Sequence, residues 1–486
     1  MSKNTTEIAG AEVQTDHWIG GRRVASSDRF EVRSPIDGRT IAEMARGGKA
    51  EVDAAVDAAR RAFPAWAALG AEGRAPILKR LADGILARLD ALAAVETADN
   101  GSLLTSNRAR MIPRAALNVS FFADWARKLS QEVIDSPEVA NHVRYEPSGV
   151  AALITPWNAP FMLTTWKVGP ALAAGNTVVV KPPEWAPLTC SSLADLAADA
   201  GLPAGVLNVV QGIGEEAGAA LVAHPGVARI SFTGSTDTAR LIGKAAADNL
   251  VPVSFELGGK SPLMVFDDAD LDAAAQTIAG QYFNAGQVCL AGTRIVVQAS
   301  IEKALRERVS ALVAKIQVGD PRDPKTAVGP LITAEHFTRV AGFVDRARAG
   351  GASVAWGGRR HPAGELYYDL TLLDRVTPDM EIFRREVFGP VLVWLGFADE
   401  QEAIRLANDS EYGLAAMIFT RSEARAKRIS EAVVAGTTWV NCFFIRELAA
   451  PFGGARSSGI GREGGNWSFD FFCDVKNVAI RKGSLA

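Results

Sequence analysis

The sequence predicts an α/β protein in which a doubly wound parallel sheet is joined to a second α/β region and a small β excursion. Three observations predict it. From Gly149 onward, short apolar runs recur with helix-length segments between them. Runs such as Val150-Ala151-Ala152-Leu153-Ile154 lack polar alternation, the mark of strands buried on both faces by crossover helices. The residues just after five successive runs are polar or glycine-rich, so they collect at the rim where such sheets bind ligands.

A chain of 486 residues exceeds one compact core and implies two or three domains. Its 48% hydrophobic and 22% charged residues are those of an ordinary globular protein, not a disordered one. A net charge of -3 argues against nucleic acid or an anionic membrane as partner. The polar start, MSKNTTEIAG, lacks a secretory apolar core, and no run approaches a membrane span. Cys190, Cys289, Cys442 and Cys473 show neither CxxC nor Cys/His spacing. No metal site or disulfide framework is therefore indicated, and a reducing cytoplasm is expected.

In chain order, Trp18 to Arg22 reads as a hairpin and Ser34 to Gly38 as a turn. Val52, Val56, Ala59 and Phe63 repeat at helical spacing, as do Leu78, Leu81, Ile85 and Leu89, and both helices should cover a sheet. A third helical region spans Arg108 to Lys128, and Ser130 to Ser148 reads as an extended excursion. Five strands follow, at Val150–Ile154, Thr177–Val180, Val206–Val210, Arg229–Phe232 and Val251–Phe255. Their rim carries Thr155-Pro156-Trp157-Asn158, Lys181 to Glu184, Gln211 to Gly214, Thr233-Gly234-Ser235 and Glu256 to Gly259. A second region has strands at Arg294–Val297, Val391–Leu395 and Ala416–Phe419, with solvated loop and hairpin between Glu365 and Arg385. Phe469 to Ile480 reads as a terminal strand that needs a partner across a subunit boundary.

Two strings fit the dinucleotide pattern GxGxxG/A. That from Gly459 to Gly464 follows a loop and is assigned to loop structure; that from Gly212 to Ala217 follows a strand and opens a helix. The acids Glu215 and Glu216 would repel a pyrophosphate there, so Gly234-Ser235-Thr236 is the better phosphate cradle.

The stretch Phe255 to Cys289 carries the chemistry. Glu256 leaves an apolar run, and a buried carboxylate has the raised pKa of a general base. Cys289 follows the helix-breaking Asn284-Ala285-Gly286, where a thiol can be exposed and electropositive, hence nucleophilic. The ordinary alternatives are a solvated strand end and a buried small hydrophobe.

FELGGKSP and FNAGQVC, with ITPWNAP, WKVGPALAAGNTVVVKPPE, FTGST, REVFGPVL and PFGGARSSGIGREGG, resemble in order and spacing the motifs of the NAD(P)-dependent aldehyde dehydrogenase superfamily. The match covers nearly the whole chain and departs at Ala239, where the family has a glycine. The resemblance implies an NAD-binding domain at 1–125 and 149–257, a catalytic domain at 258–455, and oligomerisation segments at 126–148 and 466–486. It implies that Cys289 attacks the aldehyde, giving a thiohemiacetal and then a thioester. Asn158 and the Cys289 backbone N–H hold the oxyanion, each donor being worth roughly 3 to 4 kcal/mol. Glu256 activates water, with Lys167 in a proton relay behind it. Lys181 and Glu184 are implied to bind the adenine ribose, which favours NAD because a carboxylate repels a 2'-phosphate. Glu386 holds the nicotinamide ribose and Phe388 lies near the ring, with Ile154, Pro156, Trp157, Gly214, Gly234, Ser235 and Leu257 as further cofactor contacts. Otherwise Glu386 is a loop acid beside Arg384 or Arg385.

Ile112-Pro113-Arg114 and Ile445-Arg446-Glu447-Leu448 look like segments of the hydroxymuconic and aminomuconic semialdehyde dehydrogenase group, where arginines hold a substrate carboxylate. Phe443 and Phe444 add aromatic surface. Leu448-Ala449-Ala450 departs from that group and is expected to widen or dry this side of the pocket. The expected substrate is therefore a semialdehyde acid and the expected state a homodimer or homotetramer. Open alternatives are a dehydrogenase for uncharged aldehydes such as benzaldehyde, with Arg446 paired to a surface acid such as Glu447; a CoA-acylating enzyme, disfavoured by Glu256; and a non-catalytic NAD-binding scaffold.

Overall fold

The computed structural model describes residues 4–129 and 132–483. Five parallel strands form its first sheet in the spatial order Val253–Leu257, Arg229–Gly234, Val150–Ile154, Thr177–Lys181, Leu207–Val209. Every residue of Val150–Ile154 and Thr177–Lys181 is buried, which is why the first run is apolar throughout and the second at its three middle positions. The chain winds outward in both directions from Val150–Ile154. The strand order therefore reverses between it and Arg229–Gly234, opening a crevice beyond their carboxyl ends. The hairpin His17–Ile19 and Arg22–Val24 extends one edge, turning at Gly20 and Gly21. Gly459–Ile460 adds antiparallel to the other edge, opposite Phe255 and Glu256.

The first predicted helix is Lys49–Ala68, whose buried Val52, Ala55, Val56 and Ala59 pack on the sheet. The second is Gly70–Ala87, with Pro76 inside it and Leu89 opening the next helix, Leu89–Asn100. It packs mainly on Ile112–Ala126 and Pro160–Ala174. The latter helix is buried on nearly every side, so its sequence is apolar all round.

A second sheet has seven strands in the order Ser353–Trp356, Thr371–Asp374, Val391–Phe397, Arg294–Gln298, Pro262–Val265, Ala415–Phe419, Thr437–Val440. All neighbours are parallel except the first pair. One interior strand, Pro262–Val265, beside the central Arg294–Gln298, is hidden in the sequence by the motif that precedes it. Thr371–Asp374 corrects the reading of Glu365 to Arg385 as solvated loop: Thr371, Leu372 and Leu373 are buried between neighbouring strands, and the flanking charges belong to the turns.

The excursion is a three-stranded antiparallel flap of Val133–Asp135, Val139–Pro147 and Cys473–Arg481; Ser130 and Gln131, which open it, lie outside the described residues. The closing segment differs from expectation in its first half. Phe469 to Phe472 end a helix, Gly465–Phe472, whose Phe469 and Phe472 enter the first core, and the strand begins at Cys473. Aromatic residues at i and i+3 suit a helix face as well as a strand. The Gly459 to Gly464 string supplies the edge strand Gly459–Ile460 and the N-cap of that helix, which leads into the flap rather than across to another parallel strand. No helix among the described residues is long and apolar enough to cross a membrane.

Candidate active site

A cavity of about 470 Å³ lies at the reversal of the first sheet and is bounded on the other side by loops of the second region and by the helix Ala334–Ala349. It brings together Pro156, Trp157, Asn158, Gly234, Ser235, Glu256, Leu257, Cys289, Glu386, Phe388, Phe444 and Arg446. Lys167, Lys181, Glu184, Ile154, Gly214 and Arg114 do not line it. Ile154 ends the central strand, 9% exposed, beneath Thr155.

The turn before Cys289 is left-handed at three consecutive residues, Asn284 (φ 52°), Ala285 (φ 54°) and Gly286 (φ 69°). Such a run is costly and persists only when its surroundings over-determine it. Here a methyl at Gly286 would lie 2.1 Å from the Gly389 carbonyl oxygen. Gln287 ties the turn down: its amide donates to the Asn284 and Pro330 carbonyls (3.1 and 3.3 Å), and its oxygen accepts from Ile332 N–H (3.0 Å). Asn158 donates to the Gln287 carbonyl (3.0 Å), while Asn284 donates to the Asn158 carbonyl (3.2 Å). An amide NH2 has two protons, so Asn158 keeps one N–H for another acceptor.

Cys289 is half-buried, and its surroundings differ from the electropositive site expected of a reactive thiol. Burial pushes its pKa up to about 12; the charges of Glu386 and Glu256 add to this, and Arg446 and the Leu290 N–H oppose it. The sequence signal missed this because both carboxylates arrive from other strands and loops.

Glu256 is 5% exposed and neither carboxylate oxygen has a hydrogen-bond partner. Burial, then the charge of Glu463, holds its pKa well above the ordinary carboxylate range, against Lys167, Arg446 and Arg462. Lys167 is fully buried behind it and donates to Glu463 Oε1 (2.9 Å) and Ser231 Oγ (2.8 Å). Trp166 Nε1 donates to the other oxygen of Glu463. Glu463 is the functional candidate that sequence reasoning passed over. The signal was its being the single acid between Glu447 and Asp470, within a motif assigned to loop.

Glu386 is not a solvated loop acid: Arg384 pairs with Asp409 and Arg385 with Glu411 instead. Its carboxylate accepts from Gly259 N–H (3.1 Å) and lies over Gly258, where a methyl would come within 1.9 Å of Oε2. Burial lifts its pKa to about 7. Two residues the sequence did not single out hold this loop, both on the helix Ala334–Ala349. Arg339 donates to the Glu386 and Val387 carbonyls (2.7 and 2.6 Å), and His336 Nε2 bonds the Phe388 carbonyl (2.7 Å). Trp157 meets His336 and Phe388 edge to face and Trp185 at a tilt, forming an aromatic wall.

Lys181 Nζ bonds Glu184 (2.6 Å), and a methyl at Gly214 would sit 3.9 Å from Glu184 Oε1, so Gly214 leaves space beside that carboxylate. Of the acids expected to repel phosphate, Glu216 is paired with Arg46. Ser235 caps the helix Thr236–Asp248, its Oγ accepting from Thr238 N–H (3.1 Å). Ala239, the departure from the glycine pattern, fits with its methyl in the core.

Arg446 makes no ion pair with Glu447. Its guanidinium lies over Phe452 (3.5 Å to the ring centre) and Trp166 (5.0 Å), with no carboxylate in bonding distance among the described residues. Burial and the like charge of Arg114 hold its pKa down to about 10, against Glu256, Glu463 and Cys289. Arg114 is half-buried, with Nε donating to Asn118 Oδ1 (3.2 Å). Phe444 is held at φ 63° on the wall and stacks on Phe443. The expectation that Leu448 widens or dries the pocket fails: Leu448 is buried in the first core with Phe469 and does not line the cavity.

The chain is similar over nearly its whole length to known proteins. Residues 23–478 match the model of the aldehyde dehydrogenase family. The chain is 42% identical over 464 residues to a 5-carboxymethyl-2-hydroxymuconate semialdehyde dehydrogenase of Escherichia coli, covering 94% of this chain and 98% of that one. It is 42% identical over 480 residues to a 2-hydroxymuconic semialdehyde dehydrogenase of Pseudomonas sp. strain CF600, covering 96% and 99%. Among solved structures, a mutant indole-3-acetaldehyde dehydrogenase of P. syringae in complex with NAD+ and IAA superposes with a TM-score of 0.95. It is 38% identical, with 97% of each chain covered.

Proposed function

The chain belongs to the aldehyde dehydrogenase family and has aldehyde dehydrogenase activity, and from that premise we propose that it uses NAD to oxidise a semialdehyde bearing a carboxylate. One observation carries the choice of substrate. Arg446 presents a guanidinium without a carboxylate partner in the cavity that also holds Cys289 and Glu256. A planar guanidinium stacked on an aromatic ring keeps its edge free for two-point binding of a carboxylate.

The crevice fits NAD in its polar groups and in its space. Glu184 and Lys181 would take the adenine ribose, with room at Gly214. The amides at Ser235 and Thr236, at the start of their helix, would receive the phosphates, and Glu386 above the bare Gly258 would take the second ribose, near Phe388. Residues 1–125 and 149–257 would form the cofactor domain, and 258–455 the catalytic domain.

The thiol must lose its proton before it attacks. That proton would pass to solvent, which leaves Glu256 free as the base of the later hydrolysis. As sulfur bonds the carbonyl carbon, the oxygen gains charge, and the second N–H of Asn158 and the Cys289 backbone N–H would receive it. NAD, when bound, supplies the acceptor for the hydride that leaves this carbon. Glu256 then draws a proton from water, whose oxygen displaces sulfur and releases the acid. Glu463 and Lys167, which meet at 2.9 Å, would take the proton onward once Glu256 turns or a water bridges to them.

The test is NADH formation with 2-hydroxymuconic semialdehyde and benzaldehyde. Arg446→Ala should raise KM for the semialdehyde acid at least about tenfold more than for benzaldehyde, the loss of roughly 1.4 kcal/mol of charged hydrogen bonding. Equal effects on the two would leave a dehydrogenase for uncharged aldehydes. We further infer a homodimer or homotetramer joined at the flap, whose strands expose Val133, Ile134 and Val475. Light scattering that returns the 51.5 kDa monomer would remove that inference.

A further inference from the structure

We propose that Arg110 is an entry residue that draws anionic aldehydes toward the cavity before Arg446 receives them; this rests on the carboxylate reading above. The helix preceding Ile112–Ala126 opens into a π-turn at Asn107–Met111. Such turns carry one extra residue and re-aim side chains, often at functional sites. Here the turn puts Ser106, Asn107 and Met111 on the cavity wall and leaves Arg110 exposed beside it.

Two contacts hold Arg110 there. Its guanidinium lies over the ring of Phe283 (4.9 Å to the centre), and Nη2 bonds Ser106 Oγ (3.3 Å). Phe283 and Ser106 both line the cavity, so the charge sits at its rim rather than elsewhere on the surface. Arg108, two residues earlier, is neutralised by Asp90 (2.8 Å), whereas Arg110 has no ion pair among the described residues. Stacking fixes the plane of a guanidinium while its N–H edge stays available.

Arg114 follows one helical turn later, half-buried, and its charge is felt by Arg446 inside. Arg110 at the rim and Arg446 inside thus share the cavity, with Arg114 behind its wall and exposed Glu447 as the acid acting on Arg114. An exposed cation at a cavity rim raises the encounter rate of anions, and salt screens the effect.

The experiment measures kcat/KM for 2-hydroxymuconic semialdehyde and for benzaldehyde at about 0.02 and about 0.5 M salt, where the screening length falls from over 20 Å to under 5 Å. The variants are Arg110→Ala, Arg110→Glu and Arg110→Lys. At low salt the alanine should lower kcat/KM for the acid by about threefold and the glutamate by about tenfold, with kcat unchanged and lysine close to wild type. The gap should close at high salt and be absent for benzaldehyde. A loss that is equal for benzaldehyde, or that persists at high salt, or no loss at all, overturns the assignment. Arg446→Ala, run in parallel, separates the two ideas: if it discriminates against the acid and the Arg110 variants do not, only the entry role fails. If it does not discriminate, the carboxylate reading fails first.

Discussion

Replacing Glu256 by Gln should slow the enzyme and stabilise it, both for one reason. The carboxylate is 5% exposed, has no hydrogen-bond partner, and faces the charge of Glu463. Its folded pKa is raised, so the folded state binds more protons than the unfolded one once pH exceeds the unfolded value of about 4.3. Stability therefore falls as pH rises through the interval between the two values, by about 1.4 kcal/mol per pH unit, and levels off above the folded pKa. An amide carries no such penalty. The midpoint of denaturant unfolding for Glu256→Gln should lie near that of the parent at pH 5 and above it at pH 8. The same variant loses the base that activates water, a contribution of about 10²- to 10⁴-fold, or roughly 3 to 5 kcal/mol. Mixed rapidly with NAD and aldehyde, it should give a burst of NADH of up to one per site and then a slow steady state, with an acyl adduct on Cys289 visible by intact mass. A midpoint difference that does not change between pH 5 and pH 8 would refute the burial argument. Full turnover with no adduct would refute the catalytic one.

Two other consequences are measurable. With its thiol near pKa 12, Cys289 of the cofactor-free protein should react with iodoacetamide about tenfold faster per pH unit from 7 to 10; a plateau near pH 9 would show an unperturbed thiol. Gly258→Ala puts a methyl 1.9 Å from Glu386 Oε2 and must push that carboxylate off the Gly259 N–H. KM for NAD should rise about tenfold, the value of one charge-assisted hydrogen bond, and an unchanged KM would argue that Glu386 does not hold the cofactor.

Much of this was legible locally. Buried parallel strands cannot hide, because solvent reaches neither face: Val150–Ile154 and Thr177–Lys181 are apolar at almost every position. A helix buried on one side repeats at 3.6 residues, as Lys49–Ala68 does. The harder cases were segments whose pattern suits two structures. Phe469 to Phe472 could line a strand or a helix, and packing on the helices Ile112–Ala126 and Pro160–Ala174 chose the helix. Thr371–Asp374 is too short, between charged turns, to announce that it is buried.

By itself the sequence determined the order of the elements and the rim on which polar groups gather, and it singled out the thiol, the carboxylate and the amide proposed to react. Each of those is a property of neighbours along the chain. The charge state of the site was decided only by the tertiary structure. Burial raises the Cys289 thiol, helped by Glu386 and Glu256 from 97 residues after it and 33 before, and burial raises Glu256, helped by Glu463 just beyond the edge strand of the same sheet. Arg446 is left without an acid because Phe452 and Trp166 occupy its face. Electrostatic energy depends on distance through space and on the water excluded between charges, and neither is written in the spacing of residues along a chain.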